Sequence, residues 1–128
     1  LGEIERARAA GVDILLDLDV QGAAQVRRRL PEAVTVFILP PSYDVLESRL
    51  RGRGLDDEAT IRRRLAAAGR EIDAFEQYDY AIVNDDIDAC VEELKSIVRA
   101  ARCRLAVVRE RARAIEKTFE AAKGRDEA

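Results

Sequence analysis

Arg49 and Arg53 stand four residues apart in Leu39-Pro-Pro-Ser-Tyr-Asp-Val-Leu-Glu-Ser-Arg-Leu-Arg-Gly-Arg-Gly54. On a helix that spacing puts both guanidinium groups on one face. A guanidinium is permanently charged and forks onto pairs of phosphate oxygens. Two of them one turn apart, with Arg62, Arg63 and Arg64 behind, therefore suit a lid that closes over a polyphosphate. A solvated basic face is the plain alternative, and the pair alone satisfies both.

The rest of the chain narrows the chemistry. It contains no histidine, which removes the usual general base. Phosphoryl transfer hardly needs one, because positioning and charge stabilisation do most of the work. Cys90 and Cys103 form no Cys-x-x-Cys motif, so they read as two reduced structural thiols and support neither a zinc site nor a redox pair. No signal peptide, transmembrane-length apolar run or disulfide framework is present, which makes a reducing cytoplasm the default setting.

The 128 residues are 48% hydrophobic and 37% charged, suiting one globular domain with its own core. With three Phe and three Tyr, that core must be mostly aliphatic. The net charge of −3 comes from interleaved acids and bases, so neither nucleic acid nor an anionic membrane is the natural partner. Small anions remain. Methionine is absent and the chain opens at Leu1 without an initiator, so it looks cut at the front.

The elements that must hold the arginines follow from periodicity. Leu1 to Ala10 is a short helical stretch that Gly11 stops. Val12-Asp-Ile-Leu-Leu-Asp-Leu-Asp19 reads as a strand buried on both faces of a parallel sheet, and Gln21 to Leu30 as a helix. Val34 to Leu39 is a second buried strand, stopped by Pro40-Pro41, after which Ser42 caps the arginine helix. Asp56 or Asp57 starts another helix, with a buried stripe of Ile61, Leu65, Ala68, Ile72 and Phe75. Tyr80 to Val83 is a third strand, and a long helical region then runs to about Lys123. Alternating strands and helices with short links mean a parallel α/β sheet with right-handed crossovers. No linker or internal repeat divides the chain.

Ligands of such sheets sit beyond the carboxyl ends of the strands. The first expected strand ends in Asp17 and Asp19, which share one face because strand side chains alternate. Asp19 reads equally as the cap of the next helix. Asp17, just inside an apolar strand, is costly unless an amino group, a hydroxyl or hydrated magnesium pairs with it. The second strand feeds the arginine helix. The third ends in Asn84, whose amide can donate to and accept from a base edge, or simply turn the chain.

At this point the residues resemble a known family. Leu16-Asp-Leu-Asp-Val-Gln-Gly-Ala23, Phe37-Ile-Leu-Pro-Pro-Ser42, Arg49-Leu-Arg-Gly-Arg-Gly54, Ile61-Arg-Arg-Arg-Leu65 and Tyr78-Asp-Tyr-Ala-Ile-Val-Asn-Asp-Asp86 together are similar to the C-terminal half or more of guanylate kinases. Each block is weak alone, but their order makes the likeness specific from Gly11 to about Arg104. The resemblance implies an α/β fold, a three-layer parallel sheet of the P-loop nucleoside-monophosphate kinase type, incomplete in these residues and ending in a long C-terminal helix. Residues 1–104 would be the C-terminal part of the kinase core, with the lid at about 42–76, and residues 105–128 a helical extension.

It further implies transfer of the ATP γ-phosphate to GMP, with Mg²⁺ as cofactor carried by bound ATP and no metal ligands of the chain's own. Asp17 would contact the guanine nucleotide and Asp19 would line the same site near the magnesium. Arg49 and Arg53 would be lid arginines, Arg64 would reach the transferring phosphate, and Asn84 would lie near the adenine. The sequence departs from the family in having no Gly-x-x-x-x-Gly-Lys-Ser/Thr loop, which family members carry upstream, and in lacking the upstream segment that grips GMP. These residues alone are therefore expected to be inactive, and the sheet to lack an inner strand.

A non-catalytic kinase-like module that binds protein is the alternative, and retention of the phosphate-handling set argues against it. The tail has a heptad seam of Val91, Leu94, Val98, Ala101, Leu105, Val108, Ala112, Ile115 and Phe119. It admits two readings: one long helix with its first half packed on the sheet, or a homodimer through the second half.

Overall fold

The computed structural model describes residues 2–127, and the chain divides after Thr35 into two compact units. No sequence linker marks that point.

In the first unit, helix α1 (Gly2–Ala10) ends at Gly11, whose φ of +69° is the left-handed conformation glycine adopts without steric cost. The Gly11 and Val12 amides close the helix end on the Arg8 and Ala7 carbonyls. Helix α2 (Val20–Arg29) starts at Asp19, whose extended backbone lets its carboxylate accept from the Gly22 amide at 2.7 Å. Arg27, Arg28 and Arg29 occupy its last turn, where positive charge favours the carbonyl end of the helix dipole. Arg8 forms an ion pair with Glu32.

The strand expected over residues 12–19 is not formed. Residues 12–18 carry no regular structure, and Asp19 already belongs to the start of α2. A strand exists through hydrogen bonds to a neighbour, and the sheet of the described residues has two strands, neither of them here. The aliphatic residues suited to a sheet interior therefore stay in solvent, with Leu15 77% exposed and Val12, Ile14, Leu16 and Leu18 also open.

In the second unit, β1 (Val36–Leu39) and β2 (Tyr80–Val83) pair in parallel, Val36 opposite Tyr80 and Leu39 opposite Val83. The Asn84 amide donates to the Leu39 carbonyl at 2.7 Å, carrying the ladder one residue beyond β2. Phe37 and Tyr78 meet edge to face with ring centroids 5.0 Å apart. Helix α5 (Ile87–Arg102) packs on β2, and Ile82 and Cys90 are buried.

Helix α3 (Tyr43–Gly52) begins at Ser42, whose hydroxyl oxygen accepts from the Val45 amide at 3.1 Å. Gly54, at φ +65°, turns the chain toward α4 (Glu58–Glu71), whose cap Asp57 accepts from the Thr60 amide at 2.8 Å. Leu50, Ile61 and Leu65 bury one another with Leu46 against them, each worth about 1.5–3 kcal/mol of transfer free energy. That cluster makes α3 and α4 one hairpin.

The stripe expected to continue through Ile72 and Phe75 does not. After Glu71 the chain tightens into a 3₁₀ helix, Ile72–Gln77, whose three-residue turn shifts the phase of the side chains, and both residues are exposed. The long helical region expected after Asp86 is two helices, because Cys103 and Arg104 bond three residues back, to Ala100 and Ala101, and α6 (Leu105–Glu127) starts anew. No glycine or proline announces that break. Both cysteines are free thiols, Cys90 buried and Cys103 exposed.

Candidate active site

The helix α3, the turn at Gly54 and the first turns of α4 carry six arginines among five acids and a threonine. The structure sorts them into three groups.

Arg49 leaves the α3–α4 hairpin and reaches the end of β2. Its Nη1 donates to the main-chain oxygen of Asn84 at 2.7 Å and its Nη2 to that of Asp85 at 3.3 Å. A fork on two successive carbonyls uses the same planar geometry that would grip a phosphate. The Asn84 side chain is not part of that contact, while its main chain is held from two sides, by Leu39 and by Arg49.

Arg53 and Arg64 meet at Asp56. Arg53 Nη2 lies 3.4 Å and Arg64 Nε 3.5 Å from the same oxygen, Asp56 Oδ2. Arg49 and Arg53, placed on one helix face by their spacing, are thus directed to different partners. Arg53 and Arg64, eleven residues apart and on different elements, are the pair brought together.

Arg51, Arg62 and Arg63 serve the hairpin itself. Arg51 forks onto Glu58, with Nη2 to Oε1 at 3.0 Å, and also reaches Glu47 at 3.2 Å, while Arg62 joins Glu58 at 3.2 Å. The hydrogen bond and charge of Arg51 hold the Glu58 carboxyl down at about 2. The same bonds, Glu58 first and Glu47 second, push the Arg51 guanidinium up. Arg63 donates to the Thr60 hydroxyl at 3.0 Å, and that hydroxyl and the Thr60 amide hold Asp57 below the usual carboxylate range. A depression of about 490 Å³ is lined by Tyr43, Glu47, Arg51, Glu58, Arg62, Leu65 and Ala66. Its charges satisfy one another, and none of the residues expected to bind nucleotide lines it.

Asp17 and Asp19 belong to the first unit. Asp17 is exposed on the extended segment, and Asp19 caps α2. Gly22 permits that cap, since a Cβ there would lie 3.1 Å from Asp19 Oδ1.

Sequence reasoning missed Asp56, Glu58 and Glu47 as partners. Asp56 was legible as a helix start, but its role depends on a turn at Gly54 that brings two distant arginines to it.

Comparison with known proteins decides the family. A family model described as guanylate kinase matches residues 1–101. The chain belongs to the guanylate kinase family.

The guanylate kinase of Salmonella typhimurium strain LT2 is 48% identical over 112 residues, which are 88% of this chain and 54% of that protein. The guanylate kinase of Escherichia coli K12 is 49% identical over 108 residues, 84% of this chain and 52% of that protein. The chain thus spans about half the length of the curated relatives it matches. The crystal structure of guanylate kinase from Anaplasma phagocytophilum superposes with a TM-score of 0.65 at 35% identity, covering 78% of this chain and 47% of that one. The fold is accordingly that of the P-loop nucleoside-monophosphate kinases, represented here by the parallel pair β1–β2, helix α5 packed on β2 and the long α6. Among the described residues no helix is long and apolar enough to cross a membrane.

Proposed function

We propose that these residues form the lid-bearing part of an enzyme that transfers the γ-phosphate of ATP to GMP, giving ADP and GDP in purine nucleotide metabolism. The observation that carries this reading is membership of the guanylate kinase family by a match reaching from residue 1 to residue 101, through every arginine of the hairpin.

The phosphoryl group in flight spreads charge over its equatorial oxygens, and closely placed guanidinium groups stabilise that charge. Arg53 and Arg64 are proposed for this role, with Arg49 as the lid arginine that exchanges its carbonyl partners for phosphate oxygens. Asn84 would face the adenine, and Asp17 and Asp19 the GMP side. Mg²⁺ would arrive on ATP and screen its phosphate charge. The donors of this chain fit that arrangement, because Asp17 and the second oxygen of Asp19 are exposed carboxylates able to accept from the ion's water ligands.

No Gly-x-x-x-x-Gly-Lys-Ser/Thr loop occurs in these 128 residues, so the β- and γ-phosphates lack a cradle of backbone amides and lysine. The isolated chain is proposed to be inactive for that reason. Coupled measurement of ADP release with GMP present tests both statements: none is expected from the chain alone, and turnover is expected from a full-length form that includes the P-loop segment. GMP-dependent release from the chain alone would refute the first. A full-length form that binds a protein ligand and ignores GMP would establish the non-catalytic module instead. The two free thiols favour a reducing compartment, and we assign the enzyme to the cytoplasm. We also propose that the exposed seam of α6 pairs with a second copy.

A further inference from the structure

We infer that Asp56 is a positioning residue of the lid, a carboxylate that gathers Arg53 and Arg64 into one phosphate-facing pair. The inference rests on the kinase reading above and deepens it.

Two guanidinium groups repel one another, yet Arg53 at the end of α3 and Arg64 in α4 both stand within 3.5 Å of Asp56 Oδ2. The side chain of Asp56 is 15% exposed, whereas those of Arg53 and Arg64 are 47% and 51% exposed. The anion is sheltered and the cations face outward, the order needed if a second anion is to be received on the open side. Arg64 comes closest through Nε, the inner nitrogen of its guanidinium. Two cations on one carboxylate leave a surplus positive charge, which a phosphoryl group complements.

The main chain fixes Asp56 from both sides. Gly54 takes the left-handed turn two residues before it, and Asp57 is locked as the cap of α4 immediately after it. The hairpin does not need Asp56 for its own cohesion, since Leu46, Leu50, Ile61 and Leu65 pack together and Arg51 bridges Glu47 and Glu58. A carboxylate that aligns two arginines without holding the fold together acts on geometry, and misplacing a charge-stabilising group slows chemistry more than it weakens binding.

The test compares Asp56→Asn, which keeps the shape and removes the charge, with Asp56→Glu, which keeps the charge, in a full-length form. Asp56→Asn is expected to lower kcat by about tenfold to a hundredfold with KM for GMP unchanged, and Asp56→Glu to recover much of the loss. Melting temperature should move by no more than a few degrees in either. In ¹⁵N spectra of the same proteins, Asp56→Asn should shift the Arg64 Nε–H resonance and speed its exchange with water. Unchanged kcat in Asp56→Asn, or a rate loss matched by unfolding, overturns the positioning role. If the parent fails to phosphorylate GMP, the kinase reading falls, and the Arg64 resonance decides the pairing alone: unmoved, it overturns the inference, and shifted, it upholds the Asp56 contact.

Discussion

Arg49 and Asn84 are joined across 35 residues of sequence by a 2.7 Å hydrogen bond from a guanidinium to a main-chain oxygen, with a second arm on Asp85. The bond ties α3 to the loop that follows β2, so the arginine that sequence assigns to phosphate also holds the loop presenting Asn84. In a full-length form, Arg49→Ala should cost on the order of 10³-fold in turnover through the loss of one charge-stabilising arginine. It should also speed amide exchange at the residues after Asn84, whereas Arg49→Lys, which keeps charge but loses the fork, should speed that exchange while retaining more turnover. Exchange rates unchanged in both variants would show that the carbonyl contacts do not secure the loop.

Asp19 has two competing accounts that one substitution separates. As the cap of α2 its replacement by alanine should cost about 1 kcal/mol, while asparagine caps equally well. Asp19→Asn should therefore leave the thermal stability of α2 intact. If Asp19 also serves the nucleotide, the same variant in a full-length form should weaken GMP binding in calorimetry. Equal loss of stability in both variants would show that the negative charge matters to the fold.

Glu58 sets an acid limit on the α3–α4 hairpin. Its carboxyl is lowered from 4.5 to about 2 by Arg51 first and Arg62 after, so it favours the folded hairpin at any pH above the ordinary value. That contribution fades as pH falls from about 4.5 toward 2. The side-chain carbonyl of Glu58 should titrate well below the ordinary glutamate value of 4.5 in ¹³C spectra. Arg51→Gln should bring its midpoint back toward the ordinary range, and a Glu58 midpoint unaffected by that change would locate the cause elsewhere.

What the sequence made legible follows the range of the forces involved. Local signals held: Gly11 stops α1, Ser42 caps α3, Asp57 caps α4, and the Pro40-Pro41 pair ends β1, because each acts within a few residues of itself. The segment 12–18 has the composition of a buried strand but depends on a partner strand that composition cannot supply. Ile72 and Phe75 fit a helical stripe until the turn tightens and their phase moves. At the candidate site, Arg53 and Arg64 were visible as residue types. Their meeting at Asp56 was not, since it requires the hairpin to close first.

The C-terminal seam makes a further claim that hydrodynamics can check. Leu105, Ile115 and Phe119 are exposed on α6 and recur with Val108 and Ala112 at alternating steps of three and four. If α6 pairs with a second copy, removal of Val107 to Ala128 should lower the sedimenting mass from that of two copies to that of one shortened copy and leave α5 folded. A mass already monomeric before truncation would refute the pairing.

The break at Cys103 and Arg104 also isolates the angular phase of α6 from that of α5. In one continuous helix, every residue inserted or lost downstream would rotate the downstream seam against the sheet-facing side of α5. Here the tight turn resets the count. The tail can lengthen, shorten or change its seam over generations while α5 stays set against β2, so the extension and the sheet-packed core are free to vary independently.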